Sequence, residues 1–162
     1  MRLMLLIAVL LVSGSLSAQT QGHQKRVRHI SRFELAVACI KKYEGLHGPK
    51  HYPYVGYGHK LLPGERYSPR MSERQADALL RSDLRKLCAM FRSFGRDSLL
   101  LAALAYNVGC GKVIKSRMYA KMRSGNRNIY RDYVDFKRWK NGRIVPSIER
   151  RRKMEYLLLF TP

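Results

Sequence analysis

An almost uncharged apolar stretch, DSLLLAALAYNVG at residues 97–109, restricts the folds that this chain can adopt. A helix that is apolar around its whole circumference is stable in water only when other elements cover most of its sides. We therefore predict a buried helix that begins at Asp97 and ends at Gly109. The chain has 162 residues, 46% of them hydrophobic, so it can supply the surrounding core within a single domain.

Two amphipathic helices are predicted before this stretch. The first begins at a capping box of Ser31 and Glu34 and ends at Glu44. Its apolar stripe consists of Phe33, Val37, Ile40 and Glu44. The second begins at a capping box of Ser72 and Gln75, and its length indicates that it links two lobes.

The remaining segments complete a mainly helical α+β domain. The aromatic, glycine-containing segment YPYVGYGH at residues 52–59 predicts a short hairpin, and we expect the strands to be confined to residues 50–60. Shorter helices are predicted at residues 112–123, 127–138 and 148–159.

The N-terminus has the composition of a secretory signal peptide. Arg2 precedes an apolar run at residues 3–12, and small residues follow up to Ala18. This run is shorter than the roughly 20 residues that a membrane-spanning helix needs. We therefore predict a signal peptide at residues 1–18 and a flexible basic leader at 19–30. The expected product is secreted, periplasmic or extracellular, and keeps no stable membrane span after processing.

The charge balance indicates a polyanionic partner, because 32 Lys and Arg oppose 11 Asp and Glu, a formal charge of +21. Export makes intracellular DNA a poor partner, so nucleic acid is not expected. Cys39, Cys88 and Cys110 allow at most one disulfide; its pairing stays open, and small buried thiols are an equal alternative. The five histidines lack metal-ligand spacing, so we expect no metal site and no cofactor.

Glu44 is the carboxylate that most strongly indicates a chemical role. It lies on an apolar stripe and at the C-terminal end of its helix, and both positions disfavour negative charge. A carboxylic acid that keeps its proton can donate it to a leaving oxygen. The structural alternative is an ion pair with Lys41, or with an inward-turned member of the run Arg150-Arg151-Arg152.

Two motifs around this glutamate resemble the EGL…GxGH signature of the phage-type lysozymes. They are Glu44-Gly45-Leu46 and Gly56-Tyr57-Gly58-His59. Further matches occur in the family's order. They are residues 75–80 (QADALL), residues 105–109 (AYNVG), Ser116 and residues 150–152 (RRR). The resemblance extends over about residues 31–160.

The resemblance implies a lysozyme-like domain at residues 31–162, which we expect to be a monomer. Its fold has a small lobe with a helix and a β-hairpin, a helical lobe, and a glycan-binding cleft between them. The implied reaction is cleavage of the β-1,4 bond between N-acetylmuramic acid and N-acetylglucosamine in peptidoglycan glycan strands. Glu44 matches the general acid, and Lys60, Tyr106 and Ser116 match positions that line the cleft.

The same resemblance implies a setting in the cell envelope. A basic protein suits peptidoglycan, because the peptides of that polymer carry carboxylates. We expect local remodelling of the cell wall. Family members with signal peptides can serve envelope-spanning transport or conjugation machinery, and such machinery is a partner that the resemblance permits.

The sequence departs from the family where a second catalytic carboxylate is expected. Residues 45–64 contain no Asp or Glu, and Tyr54 stands where the family has Thr. Glu65 is the nearest downstream carboxylate. It follows Pro63-Gly64, so it is predicted to be a solvated turn residue.

The sequence leaves three roles open for the cleft. His51, His47 or Tyr54 could position the attacking water of a hydrolase. Glu44 alone could serve a lytic transglycosylase, returning as base to close a 1,6-anhydro ring. The cleft could also bind glycan without cutting it. In each case His59 is expected to join the hairpin to the next lobe through hydrogen bonds.

Overall fold

The structure, a computed structural model, describes residues 30–136, 139–141 and 143–161. The predicted signal peptide at residues 1–18 and residues 19–29 of the predicted leader lie outside this part of the chain. Within it, none of the helices combines the length and the apolar character of a membrane span.

The described residues fold into helices and two small antiparallel sheets. The helices are α1 (Arg32–Glu44), α2 (Glu73–Met90), α3 (Ser98–Val108), α4 (Cys110–Ile114), α5 (Arg117–Arg123), α6 (Tyr130–Val134) and α7 (Pro146–Leu159). The strands are β1 (Tyr54–Val55), β2 (His59–Lys60), β3 (Trp139–Lys140) and β4 (Arg143–Ile144), paired β1 with β2 and β3 with β4. Short 3-10 helices occur at Pro49–His51 and Arg92–Asp97. The predicted mainly helical α+β class is confirmed.

Helix α3 lies in the centre of the core, as predicted. Every residue from Leu100 to Ala105 is buried, and helices α1, α2, α4 and α7 pack against α3. The helix begins at Ser98. The preceding Asp97 forms no cap, because its carboxylate accepts two hydrogen bonds from the guanidinium of Arg127, at 3.0 and 2.6 Å. This packing holds the C-terminal end of α3 in place.

The helix starts that the sequence predicts are also confirmed. The Ser31 side chain accepts a hydrogen bond from the Glu34 backbone, although the Glu34 carboxylate binds Arg81 instead of closing the box. Ser72 and Gln75 form both bonds of their capping box at the start of α2. Helix α2 contacts both the hairpin and α3, so it links the two lobes.

Three predictions are wrong in the C-terminal half of the chain. The helix expected at residues 127–138 is limited to α6 and is followed by hairpin β3–β4, so the strands are not confined to residues 50–60. Asn141 has a φ of 50°, the left-handed conformation that tight hairpin turns require. The helix expected at residues 112–123 is divided at Ser116, whose extended backbone starts α5.

Hairpin β1–β2 forms the part of the small lobe that faces the end of α1. Tyr54 pairs with Lys60, and Val55 pairs with His59. The turn between the strands requires glycine at Gly58, where φ is 96°. This register presents the turn to the C-terminal end of α1.

All three cysteines are free. Cys39 is buried, whereas Cys88 and Cys110 are half-buried. Burial raises the pKa of the Cys39 thiol to about 11, so this thiol keeps its proton at neutral pH. Cys39 is therefore a small buried thiol, the second of the two alternatives that the sequence left open.

Candidate active site

A cleft with a volume of about 750 Å³ lies between hairpin β1–β2 and the C-terminal end of α3. Helices α1, α2 and α4 also contribute to its walls. Its lining includes Glu44, His47, Tyr54, Gly58, His59, Lys60, Asp83, Lys86, Tyr106, Asn107 and Lys112. The cleft therefore occupies the position between two lobes that the sequence predicts.

Glu44 is the last residue of α1, and its two carboxylate oxygens have different surroundings. Oε1 accepts hydrogen bonds from Arg151 Nη1 at 2.7 Å and from Asn107 Nδ2 at 3.2 Å. Oε2 forms no hydrogen bond with the described residues. It faces Gly58, where an added Cβ would lie 3.6 Å from it. One oxygen is thus fixed by the protein and the other is open to the cleft.

The groups that fix Glu44 belong to a closed ring of hydrogen bonds. Arg151 donates through Nε to Glu155 Oε1 at 2.7 Å. Arg152 donates through Nη1 to Glu155 Oε2 at 2.5 Å and through Nη2 to Asn107 Oδ1. Asn107 closes the ring by donating to Glu44. The ring couples the end of α1 to the end of α3 and to α7.

The arginine run 150–152 contributes more to this ring than the sequence indicates. One inward arginine is expected from helical geometry, but Arg151 and Arg152 are both buried while Arg150 is exposed. Two buried guanidinium groups are tolerated because Glu155, itself fully buried, binds both of them. The expected ion pair between Glu44 and an inward arginine is present.

His59, another residue of the cleft lining, is held between two carboxylates. Nδ1 lies 2.7 Å from Asp83 Oδ2 of α2, and Nε2 lies 2.8 Å from Glu65 Oε2. Glu65 also accepts a hydrogen bond from the Leu62 backbone at 2.9 Å. Glu65 follows a turn, as predicted, but its carboxylate is not simply solvated, because His59 and the backbone engage it. His59 joins the hairpin to α2, as expected.

The carboxylates around His59 make the stability of the fold dependent on pH. Burial alone lowers the pKa of His59, but the hydrogen bonds to Glu65 and Asp83 raise it above its usual value of 6.5. The protonated imidazole thus favours the folded state. Its stabilisation is complete below the pKa of the unfolded chain and is lost as the pH rises through the higher pKa of the folded protein.

We expect the thermal unfolding temperature of the wild-type protein to fall as the pH rises from about 6 to about 9, in part through His59. The variant His59→Gln cannot be protonated, so its unfolding temperature should depend less steeply on pH over this range. Calorimetry of both proteins measures the difference. An equally steep dependence in the variant would contradict the role of His59.

The predicted site residues divide into two groups. Glu44, Tyr54, Lys60 and Tyr106 line the cleft. The lining does not include His51 or Ser116. His51 Nδ1 accepts a hydrogen bond from the Gly48 backbone at 3.0 Å, and Ser116 Oγ accepts one from the Tyr119 backbone at the start of α5, at 3.1 Å. Both side chains therefore stabilise local turns.

Asp83 and Glu155 are two of the polar residues of the site that sequence reasoning missed; the others include Lys86, Asn107 and Lys112 of the cleft lining. The partners of Asp83 and Glu155 are distant in the chain: Asp83 binds a histidine 24 positions earlier. Glu155 reaches Glu44 through Arg151, which is 107 positions from Glu44 in the chain, and through Arg152 and Asn107. The sequence places Asp83 on the polar face of an amphipathic helix, but this position does not identify its partner.

The chain and its fold are similar to known lysozymes. The profile of the phage lysozyme family matches residues 41–155. The muramidase domain of SpmX from Asticaccaulis excentricus is 26% identical, with a TM-score of 0.65 over 83% of this chain and 99% of that one. The endolysin of Escherichia coli O157:H7 phage FAHEc1 is 20% identical and shares the fold, with a TM-score of 0.60 over 81% and 94%. No curated protein matches the sequence significantly.

Because the family profile covers more than half of the chain, this protein belongs to the phage lysozyme family. Its enzyme class is accordingly that of the glycoside hydrolases of the lysozyme type, and the substrate that the family implies is peptidoglycan. The resemblance carried by the EGL and GxGH motifs is thus confirmed.

Proposed function

We propose that this protein is a muramidase that hydrolyses the β-1,4 bond between N-acetylmuramic acid and N-acetylglucosamine, with Glu44 as general acid. The observation that carries the proposal is the asymmetry of the carboxylate. Arg151 and Asn107 hold Oε1, whereas Oε2 is open to the cleft. An acid that is fixed through one oxygen can present a proton on the other at a constant position.

Transfer of the proton to the glycosidic oxygen leaves a carboxylate that needs stabilisation. Burial alone lowers the pKa of Arg151, but Glu155 and Glu44 raise it, so the guanidinium stays charged. This charge, 2.7 Å from Oε1, stabilises Glu44 after the proton has left.

The charges of the cleft suit an anionic glycan. Lys60, Lys86 and Lys112 line it from the hairpin, α2 and α4. These ammonium groups attract the carboxylates of peptide stems attached to the sugar chain. The muramidase domain with 26% identity supports the same substrate class.

The proposal includes a location outside the cytoplasm, either periplasmic or extracellular. The signal-peptide pattern at residues 1–18 supports it, and peptidoglycan is an extracytoplasmic polymer. The biological role that fits a secreted muramidase of this size is local remodelling of the wall, including passages for envelope-spanning transport or conjugation machinery.

A lytic transglycosylase is the second candidate, and the surroundings of Asp83 favour it. Asp83 also lines the cleft, but His59 engages its Oδ2. Its Oδ1 lies 3.8 Å from the Lys86 ammonium, so each oxygen of Asp83 faces a partner. Glu44 is thus the carboxylate of the described cleft lining with one oxygen that has neither a hydrogen bond nor an ion pair with the described residues. A transglycosylase needs one carboxylate, first as acid and then as base, and its products end in 1,6-anhydro rings.

Clearing of a suspension of purified peptidoglycan sacculi tests the proposed activity. The protein should lower the turbidity, and the rate should fall as salt is added, because salt screens the cleft lysines from the stem peptides. Lys112→Gln should weaken this salt dependence more than Lys42→Gln, a matched change on α1 outside the cleft lining. A suspension that keeps its turbidity would contradict the proposed hydrolysis.

A further inference from the structure

Hydrolysis by Glu44 needs a second group that accepts a proton from the attacking water, and the usual carboxylate is missing. Residues 45–64 contain no Asp or Glu. Glu65 is not part of the described cleft lining, and the two oxygens of Asp83 face His59 Nδ1 at 2.7 Å and the Lys86 ammonium at 3.8 Å. An uncharged side chain of the cleft is the alternative.

Most uncharged polar groups that line the described cleft are already engaged. Tyr106 donates its hydroxyl to a backbone carbonyl of the hairpin at 3.0 Å. The Asn107 amide donates to Glu44 and accepts from α7. Two rings of the lining keep a polar atom without a hydrogen bond to the described residues, and they belong to His47 and Tyr54. A neutral imidazole accepts a proton readily, whereas a neutral phenol does so poorly.

Packing holds the His47 ring in one orientation. Its backbone N–H donates to the Gly56 carbonyl at 2.7 Å. The ring stacks on His51, with centroids 4.6 Å apart and an interplanar angle of 25°, and meets Tyr54 edge-on at 6.4 Å. Nδ1 is buried without a hydrogen-bond partner, whereas Nε2 is not among the buried unpartnered atoms. Because His47 lines the cleft, its other ring nitrogen, Nε2, is the candidate proton acceptor.

Gly58 brings the His47 ring and the acid to the same point. A Cβ built on Gly58 would lie 3.6 Å from Glu44 Oε2 and 3.8 Å from His47 Cε1. The φ of 96° favours glycine at this position, so the space between the two groups stays free of a side chain. The open carboxylate oxygen and the Cε1 edge of the imidazole thus flank one part of the cleft.

The electrostatic surroundings keep His47 neutral. Burial lowers its pKa below the usual value of 6.5, and the neighbouring His51 lowers it further. Glu44 acts in the opposite direction, but the net direction is downward. The titratable or charged groups that face the ring are Glu44 from α1, His51 from the 3-10 helix and Tyr54 from β1.

We propose that His47 is the catalytic base of this enzyme and that its Nε2 accepts the proton of the attacking water. The water oxygen bonds to C1 of N-acetylmuramic acid while the bond from C1 to the glycosidic oxygen breaks. That oxygen takes the proton of Glu44 Oε2, and the proton of the water moves to His47. Solvent then returns the imidazolium and the carboxylate to their starting forms. This inference rests on the proposed muramidase activity.

The test compares His47→Ala and His47→Gln with the matched change His51→Gln. We expect each His47 variant to lose about 10²- to 10⁴-fold in kcat/KM on sacculi. The acidic limb of the wild-type profile of kcat/KM against pH reports protonation of the base. This limb should be absent from the profiles of the His47 variants. His51→Gln should retain that limb and lose less activity, because its ring only packs against His47. Thermal unfolding verifies that the variants are folded.

Sodium azide provides a second readout that a merely structural role would not produce. Azide carries its own charge and needs no base, so it can attack C1 in His47→Ala while Glu44 still protonates the leaving oxygen. Mass spectrometry should then detect a muramyl azide and restored bond cleavage. Folded His47 variants that retain hydrolysis within a few-fold of wild type would overturn the role of His47 but not the muramidase proposal. Wild-type protein that releases no product would overturn the muramidase proposal as well.

Discussion

Glu44→Gln is expected to slow glycan cleavage by about 10²- to 10⁴-fold while leaving the protein folded. The amide keeps the shape of the side chain, and its oxygen can still accept the hydrogen bonds that Arg151 and Asn107 now donate to Oε1. What the variant loses is a transferable proton on the atom that faces Gly58 and the cleft. The rate of muropeptide release from sacculi measures this loss.

Glu73→Gln is the matched control for this change. Glu73 lies in the first turn of α2, outside the cleft lining, and its side chain is 70% exposed. The same chemical substitution there should leave the cleavage rate within about two-fold of wild type. Glu44→Gln that cleaves as fast as Glu73→Gln would show that Glu44 is not the acid.

Arg152→Met is expected to lower the free energy of unfolding by about 3–5 kcal/mol. The Arg152 side chain is fully buried and donates to both Glu155 and Asn107. Removing it leaves the buried Glu155 carboxylate with one guanidinium, and leaves Asn107 Oδ1 without its donor. Chemical denaturation followed by circular dichroism measures the change.

Arg150→Met serves as the control for position and chemistry. Arg150 lies two residues earlier on α7 and is exposed, so its replacement should change the free energy of unfolding by less than about 0.5 kcal/mol. Equal effects of the two substitutions would contradict the importance of the buried ring. Because Asn107 also positions Glu44, Arg152→Met should in addition reduce cleavage by the molecules that remain folded.

The sequence was sufficient to predict those parts of the fold that local chemistry decides. Ser72 and Gln75 cap a helix through bonds three residues apart, and Leu100 to Ala105 have no polar face to expose. The predictions failed where a short signal competes with a longer pattern. At Asn141, a left-handed turn residue starts a hairpin where helical periodicity predicts a continuing helix.

The site was predictable where local sequence motifs decide the position of a residue. Glu44 and the turn at Gly58 belong to two recognisable motifs, so their proximity follows from the family resemblance. His51 and His47 could not be distinguished, since both precede the hairpin within a few residues. The direction of each ring depends on packing: one caps a 3-10 turn, and the other lines the cleft. The engagement of Glu65 by His59 is a tertiary contact of this kind as well.

Mass spectrometry of the muropeptides released from sacculi tests the central claim most directly, because it identifies the chemical form of the new sugar ends. Digestion by the full chain should yield reducing N-acetylmuramic acid ends, formed by addition of water, and the Glu44→Gln variant should release them about 10²- to 10⁴-fold more slowly. Ends closed as 1,6-anhydro rings, or reducing ends released by Glu44→Gln at the wild-type rate, would contradict a hydrolase in which Glu44 protonates the leaving oxygen.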